Sequence, residues 1–343
     1  MSEQTVSTAR DDPAAWSAIA ELYHRLLTGS LLALVTRAGT DRAARVVFRI
    51  FRTQHLELFE AGLHKLDLAD EPDAVACAKY HVLSNSIGGV DVVWIPESDR
   101  KSWVRYRPPR WMYDGTAICG MPSEISRAVL HGWHGHNGVS LGNPRLGFVC
   151  TMQTTDGQPG LEGYYVEDDH DLAPDERVRF RPGERPPGQP ADLPLPSWDP
   201  VRLAKAERNY AAAYVRNLLT AMPSELGPAD SLGVGVVAAR QIGMQFAPAV
   251  MGMLGDDDAS FGSRLARLLA AQGDATSVER IDRGERVHLD SWRLLDGLTT
   301  DPVAFDVWNG LWEGMAAMED RRLVVEQRFD LGDPATTWRI VDR

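Results

Sequence analysis

GVDVVWIPESDRKSWVRY (Gly89–Tyr106) and GDATSVERIDRGERVHL (Gly273–Leu289) are the two stretches on which the reading of the fold turns. Each begins at a glycine suited to end a helix in the left-handed conformation and continues as a β-rich run. Each then turns at an Asp-Arg pair, Asp99-Arg100 or Asp282-Arg283, and comes back as a second β-rich run. Val90 to Ile95 with Trp103 to Tyr106, and Ser277 to Ile281 with Arg286 to Leu289, are expected to form two hairpins of one kind.

Outward from these hairpins the same order of signals occurs twice. Asp12-Pro13 and Asp199-Pro200 each offer an N-cap followed by proline at the first helical position. Amphipathic helices follow, through Trp16, Ile19, Tyr23, Leu26 and Leu27 in one case and Tyr210, Tyr214 and Leu218 in the other, sharing Leu-Leu-Thr at Leu26 and Leu218. Further helices are expected over Arg42 to Glu60 and Gly233 to Leu254, then over Asp73 to Gly89 and Phe261 to Gly273. Beyond the hairpins stand Trp111 with Asp114-Gly115 and Trp292 with Asp296-Gly297. A helix ending near Trp133 or Trp312 comes next, then a closing hairpin around Asp156-Gly157 or around Asp330 and Gly332. Partner positions stay roughly 180 residues apart, as few-residue insertions in a repeat would leave them. The expected fold is α+β and internally duplicated, two homologous units each of helices plus two β-hairpins. Residues 1–170 form the first unit, with a polar cavity, and 201–343 the second, supporting or dimerising. Residues 171–200, which hold eight of the 21 prolines, are read as an extended connector.

Lys and Arg number 36 against 48 Asp and Glu, a formal charge of −12, which argues against a nucleic-acid partner. Neither a signal peptide nor a run of 18 uncharged apolar residues is visible, so no membrane partner and a cytoplasmic location are expected. Three cysteines, Cys77, Cys119 and Cys150, follow no metal or redox spacing and fit a reducing compartment. Cys150 alternates with Leu146, Phe148 and Met152 and reads as a buried thiol. Phosphate-binding glycine loops, a nucleophile elbow and His-Glu-x-x-His are all absent from the sequence, and no cofactor is expected.

Comparing the halves singles out polar residues that packing alone does not demand. His81 and Asn85 lie four apart on one helix face, where the second half carries about Leu265 and Leu269. His131, His134 and His136, with Asn137, face Trp308, Leu311 and Glu313. A neutral imidazole here suits a general acid or base, and the three histidines together would be the ligand set if a metal were bound. Arg105 and Arg107 share one strand face and offer guanidinium forks to a carboxylate. Glu162 is the carboxylate placed to reach inward, and Trp111 joins the substrate-binding candidates.

The segment Asn143-Pro144-Arg145-Leu146 through Thr154-Thr155-Asp156-Gly157-Gln158-Pro159-Gly160 to Tyr164-Tyr165, preceded by helices and by the hairpin ending at Trp111, resembles the L-2-amino-thiazoline-4-carboxylic acid hydrolase-like family. The likeness covers roughly residues 40–167. It implies an α/β fold and hydrolytic opening of a small heterocycle or amide-like group. Members commonly place cysteines at the end of the first hairpin and in the last strand, where this chain has Pro109-Arg110-Trp111 and Gly163-Tyr164-Tyr165.

Together these readings point to a small-molecule hydrolase acting on a carboxylate-bearing heterocyclic or amide-like substrate. His134 or His136 activates water, His81 with Asn85 and Asn137 orients the substrate, and Arg105 or Arg107 holds its acid. Two alternatives stay open: a non-catalytic small-molecule binding or sensing protein, and a metal-dependent lyase or oxygenase built on His131, His134 and His136. A second copy of the chain is a candidate partner.

Overall fold

The computed structural model describes residues 12–342 except Trp111, Tyr113, Pro196, 256–257, Thr300 and 330–334. Trp111 and the Asp330 and Gly332 turn therefore lie outside the described residues. The fold is mixed helix and sheet, arranged as two compact units: Leu34–Trp198, and Met1–Ala33 together with Asp199–Arg343.

Asp12 opens the first helix, α1 (Pro13–Ala38), by accepting the Ala15 N–H at 3.0 Å. α1 has the length and apolarity to cross a membrane, yet 67% of its most apolar window is buried inside the protein, as in a core helix.

In Leu34–Trp198, α2 (Thr40–Lys65) buries a stripe through Val47, Ile50, Phe51, Gln54, His55 and Phe59. α3 (Asp73–Ile87) ends before Gly89, whose φ of 68° is the left-handed value a glycine takes without strain. There follow β1 (Val92–Ser98), β2 (Lys101–Tyr106), α4 (Ser123–Gly132), a 3-10 turn at His134–His136, the single turn α5 (Asn137–Ser140), β3 (Leu146–Met152), β4 (Leu161–Glu167) and β5 (Val178–Phe180). The sheet runs β1-β2-β4-β3-β5, antiparallel except for β3 with β5. Strand alternation gives it two chemically different faces. Tyr106 and Tyr165 look toward the helices, while Ile95, Trp103, Val149 and Tyr164 form an apolar cluster on the other side.

The proline-rich stretch is less of a linker than its composition predicts. Its first part supplies β5, and further on Ala191 N–H donates to Trp94 O at 3.0 Å and Glu184 accepts the Tyr164 hydroxyl at 3.0 Å. Proline keeps this segment extended, and an extended chain can strap a sheet face and edge that would otherwise meet water.

The other unit continues with α6 (Pro200–Leu226), capped by Asp199, then α7 (Pro228–Ser231), α8 (Val237–Leu254) and α9 (Phe261–Ala271). β6 (Thr276–Ile281), β7 (Gly284–Leu289), α10 (Val303–Glu319), β8 (Leu323–Phe329) and β9 (Thr336–Asp342) complete it. Its sheet runs β6-β7-β9-β8, the order of the first sheet without β5. Trp308, Trp312, Trp338 and Phe305 fill its core.

Close approach of α4 to α2 sets the His134–His136 turn beside His55. A Cβ on Gly132 would stand 2.7 Å from Phe48 O, so only glycine fits without moving a helix backbone. Gly132→Ala is expected to lower stability by about 1–3 kcal/mol in urea denaturation; an unchanged midpoint would contradict this helix contact.

Candidate functional site

Four elements of Leu34–Trp198 bring polar side chains onto one phenolic oxygen. Tyr165 Oη on β4 lies 2.6 Å from His81 Nε2 on α3, 2.6 Å from His134 Nδ1 on the 3-10 turn, and 2.9 Å from Asn137 Nδ2 at the start of α5. The two imidazoles are stacked, centroids 4.3 Å apart and 13° from parallel. His55 Nε2 is 3.1 Å from Asn137 Oδ1, and its Nδ1 accepts from Arg52 at 2.8 Å. None of His55, His81, His134, Asn137 and Tyr165 is more than 5% exposed.

Donor chemistry fixes much of the proton arrangement. A guanidinium only donates, so His55 Nδ1 is an acceptor and the ring's single proton sits on Nε2. That proton is given to Asn137 Oδ1, which turns the Asn137 N–H toward Tyr165. Tyr165 oxygen thus already accepts one hydrogen bond and has one proton for two imidazoles. One histidine accepts the phenolic proton and the other donates its own, which saturates an oxygen with two lone pairs.

Electrostatics keeps the rings neutral. Burial, then the neighbouring His55, then the Arg110 charge bring His81 down to about 3. Burial, His81 and Arg110 hold His134 well below the usual histidine range. Burial and the Arg52 charge bring His55 to about 3. Burial pushes Tyr165 well above the usual phenol range, so it stays protonated. Arg110, whose guanidinium lies 5.0 Å over the Tyr106 ring, supplies the positive field felt by both triad histidines.

No protein-family model, curated protein or solved structure matches the chain. The site therefore rests on its own geometry.

Of the residues singled out from sequence, His81, His134 and Asn137 meet at Tyr165. The Asn85 side chain instead donates to the His81 backbone carbonyl at 2.8 Å, while the Asn85 backbone carbonyl accepts the Gly88 and Val90 N–H groups, ending α3. Arg105 and Glu162 face each other across β2 and β4 as an ion pair, on the Trp103 and Tyr164 side of the sheet and away from the triad. Arg107 reaches exposed Asp91 at 3.4 Å. His131 and His136 stand apart from His134: His136 Nδ1 bonds the His131 carbonyl at 2.9 Å, and the His131 ring neighbours Phe180. The three histidines do not converge, and among the described residues no three His, Cys, Asp or Glu side chains gather as a metal-ligand group. Cys150 is buried, its thiol pushed up to about 12 by burial, as for an inert core cysteine.

Sequence reasoning missed Tyr165, His55, Arg52 and Arg110. His55 had a usable signal, a histidine on the apolar stripe of α2; Tyr165, between apolar strand neighbours, had none. An open pocket of about 330 Å³ lies in the other unit, lined by Arg240, Glu313, Ala316, Arg321 and Val325, and involves none of these groups.

Buried neutral histidines make stability depend on acid with a definite sign. Folding moves His81 and His55 from near 6.5 to about 3, so the unfolded chain binds protons that the folded one refuses. Their contribution is complete above pH 6.5 and is lost as pH falls toward 3. Between pH 7 and pH 5 each is expected to remove about 2 kcal/mol of stability. Urea denaturation at the two pH values checks this, with His81→Gln losing one share; equal stability at both pH values would contradict neutral burial.

Proposed function

We propose that the chain is a small-molecule hydrolase in which Tyr165 passes protons between His134 and His81, acting on a carboxylate-bearing heterocyclic or amide-like substrate. The observation that carries this reading is the convergence of His81, His134 and Asn137 on the one Tyr165 oxygen. Hydrolysis takes a proton from water and gives one to the leaving atom. Making an imidazolium at His81 at pH 7 is uphill by about 5 kcal/mol, so a simple charged base is unfavourable there.

A shift through Tyr165 avoids that charge. His134 Nε2 accepts the proton of the attacking water while its Nδ1 proton moves to the Tyr165 oxygen. The phenolic proton moves to His81 Nε2, and the His81 Nδ1 proton goes to the leaving atom. Every group begins and ends neutral, and Tyr165 finishes donating to His134 and accepting from His81. Arg110 supplies the positive charge beside the triad that an acidic substrate requires. The resemblance over residues 40–167 to a family of heterocycle hydrolases favours ring opening as the reaction class.

The reading includes an internal duplication in which one copy acquired the polar site. Tyr165 stands opposite Phe148 as Ile340 stands opposite Val325, each pair in the same place of its sheet. Sequence spacing sets His81 against Leu265 and His134 against Leu311, both buried. Apolar residues at all three places support a polar triad selected for chemistry and not for packing. A non-catalytic binding protein is the second reading, favoured by the full internal hydrogen bonding of the Tyr165 oxygen.

Incubating the protein with 2-aminothiazoline-4-carboxylate and related cyclic amidine carboxylates, and following gain of one water by mass spectrometry, tests the proposal. Tyr165→Phe is expected to lower turnover by about 100-fold or more while ligand affinity changes by less than about threefold. Turnover that survives Tyr165→Phe would overturn the relay; binding without turnover across the panel would favour the binder.

A further inference from the structure

Two half-buried arginines of Leu34–Trp198 sit where α2, the His134–His136 turn and the approach to β5 meet. Arg52 of α2 bonds His55 and makes no ion pair among the described residues. Arg177, directly before β5, also makes none among them. A Cβ on Gly135 would lie 3.8 Å from Arg177 Cβ, so the Arg177 stem starts against the turn that carries His136. The His136 ring is 6.0 Å from Phe48 and 6.3 Å from His55, over the turn of α2 that carries Arg52. All three side chains are half-buried.

Their mutual influence is that of unneutralised like charges. Burial and then Arg177 lower Arg52, while burial and then Arg52 lower His136, to which Arg177 also contributes. Among the described residues neither arginine forms an ion pair with a carboxylate, in a chain whose formal charge is −12. Half-buried like charges weaken a fold unless an anion joins them. The pocket at Arg240 differs in holding its own counter-ion, Glu313 at 3.0 Å.

We infer that Arg52, Arg177 and His136 form a binding site for a small oxyanion, a phosphate or carboxylate group, separate from the Tyr165 triad. Arg52 gives one terminal nitrogen to His55 and keeps the remaining donors of its fork for the anion. Arg177 supplies a second fork from the opposite element. His136 gives Nδ1–H to the His131 carbonyl, so its Nε2 can take a proton and donate to the anion. An anion here would also hold Arg52 against His55, linking occupancy to the hydrogen-bond chain that ends at Tyr165.

The test is titration of the full-length chain with inorganic phosphate, and separately with acetate, at constant ionic strength. Calorimetry reads affinity, and the His136 ring resonances in NMR read the site. Saturable phosphate binding is expected, tightening as pH falls and raising the His136 pKa in the complex. Arg177→Gln is expected to weaken it at least about tenfold, Arg177→Lys less, and Arg145→Gln, at an exposed arginine paired with Asp171, not at all. Saturable acetate binding with the same variant pattern identifies a carboxylate as the occupant and equally supports the site. Failure of both anions to saturate, or equal binding by a folded Arg177→Gln protein, would overturn it.

Discussion

One oxygen, one proton and three neighbours constrain the centre of the Leu34–Trp198 unit. Tyr165 must donate to one imidazole and accept from the other because its remaining lone pair is taken by Asn137. Satisfying that rule requires α3, the His134–His136 turn, α5 and β4 to bring their side chains within hydrogen-bonding distance of one oxygen. An orphaned polar group in so dry a place costs about 1–3 kcal/mol, so displacing any one element penalises the others.

Polarity in this network is imposed from its edge. Arg52, half-buried, can only donate, and the choice passes through His55 and Asn137 to the phenol. Burial then excludes the charged states, leaving two neutral proton arrangements that differ in which histidine donates. A site with two such arrangements of nearly equal chemistry can move a proton without separating charge, the property on which the proposed hydrolysis depends. The Arg52, Arg177 and His136 cluster lies at the other end of the same chain, so an anion there would act on the polarity of the network without touching substrate.

Sequence patterns carried the local structure well and the long-range chemistry poorly. Asp12 and Asp199 cap helices, Gly89 and Gly273 end them, and the Asp99-Arg100 and Asp282-Arg283 turns close hairpins, because each depends on a few neighbouring residues. His81 and His134 stood out as polar residues that sequence spacing set against Leu265 and Leu311. Tyr165 did not, since a strand tyrosine is an ordinary core residue until α3 and the 3-10 turn are laid over it. Arg105 and Glu162 looked like separate ligand-binding groups because their cross-strand register was not visible. His136 parted from His134 because the 3-10 turn directs them to different surroundings. Composition marked 171–200 as a connector but could not show that β3 and Trp94 hold part of it against the sheet.

The ring-nitrogen chemical shifts of His81 and His134, read by long-range proton–nitrogen NMR on selectively labelled protein at pH 7, test the central claim most directly. The account predicts two neutral rings, with one of the Tyr165-facing nitrogens protonated and the other bare. Two protonated nitrogens facing Tyr165, or an imidazolium at either position, would contradict it.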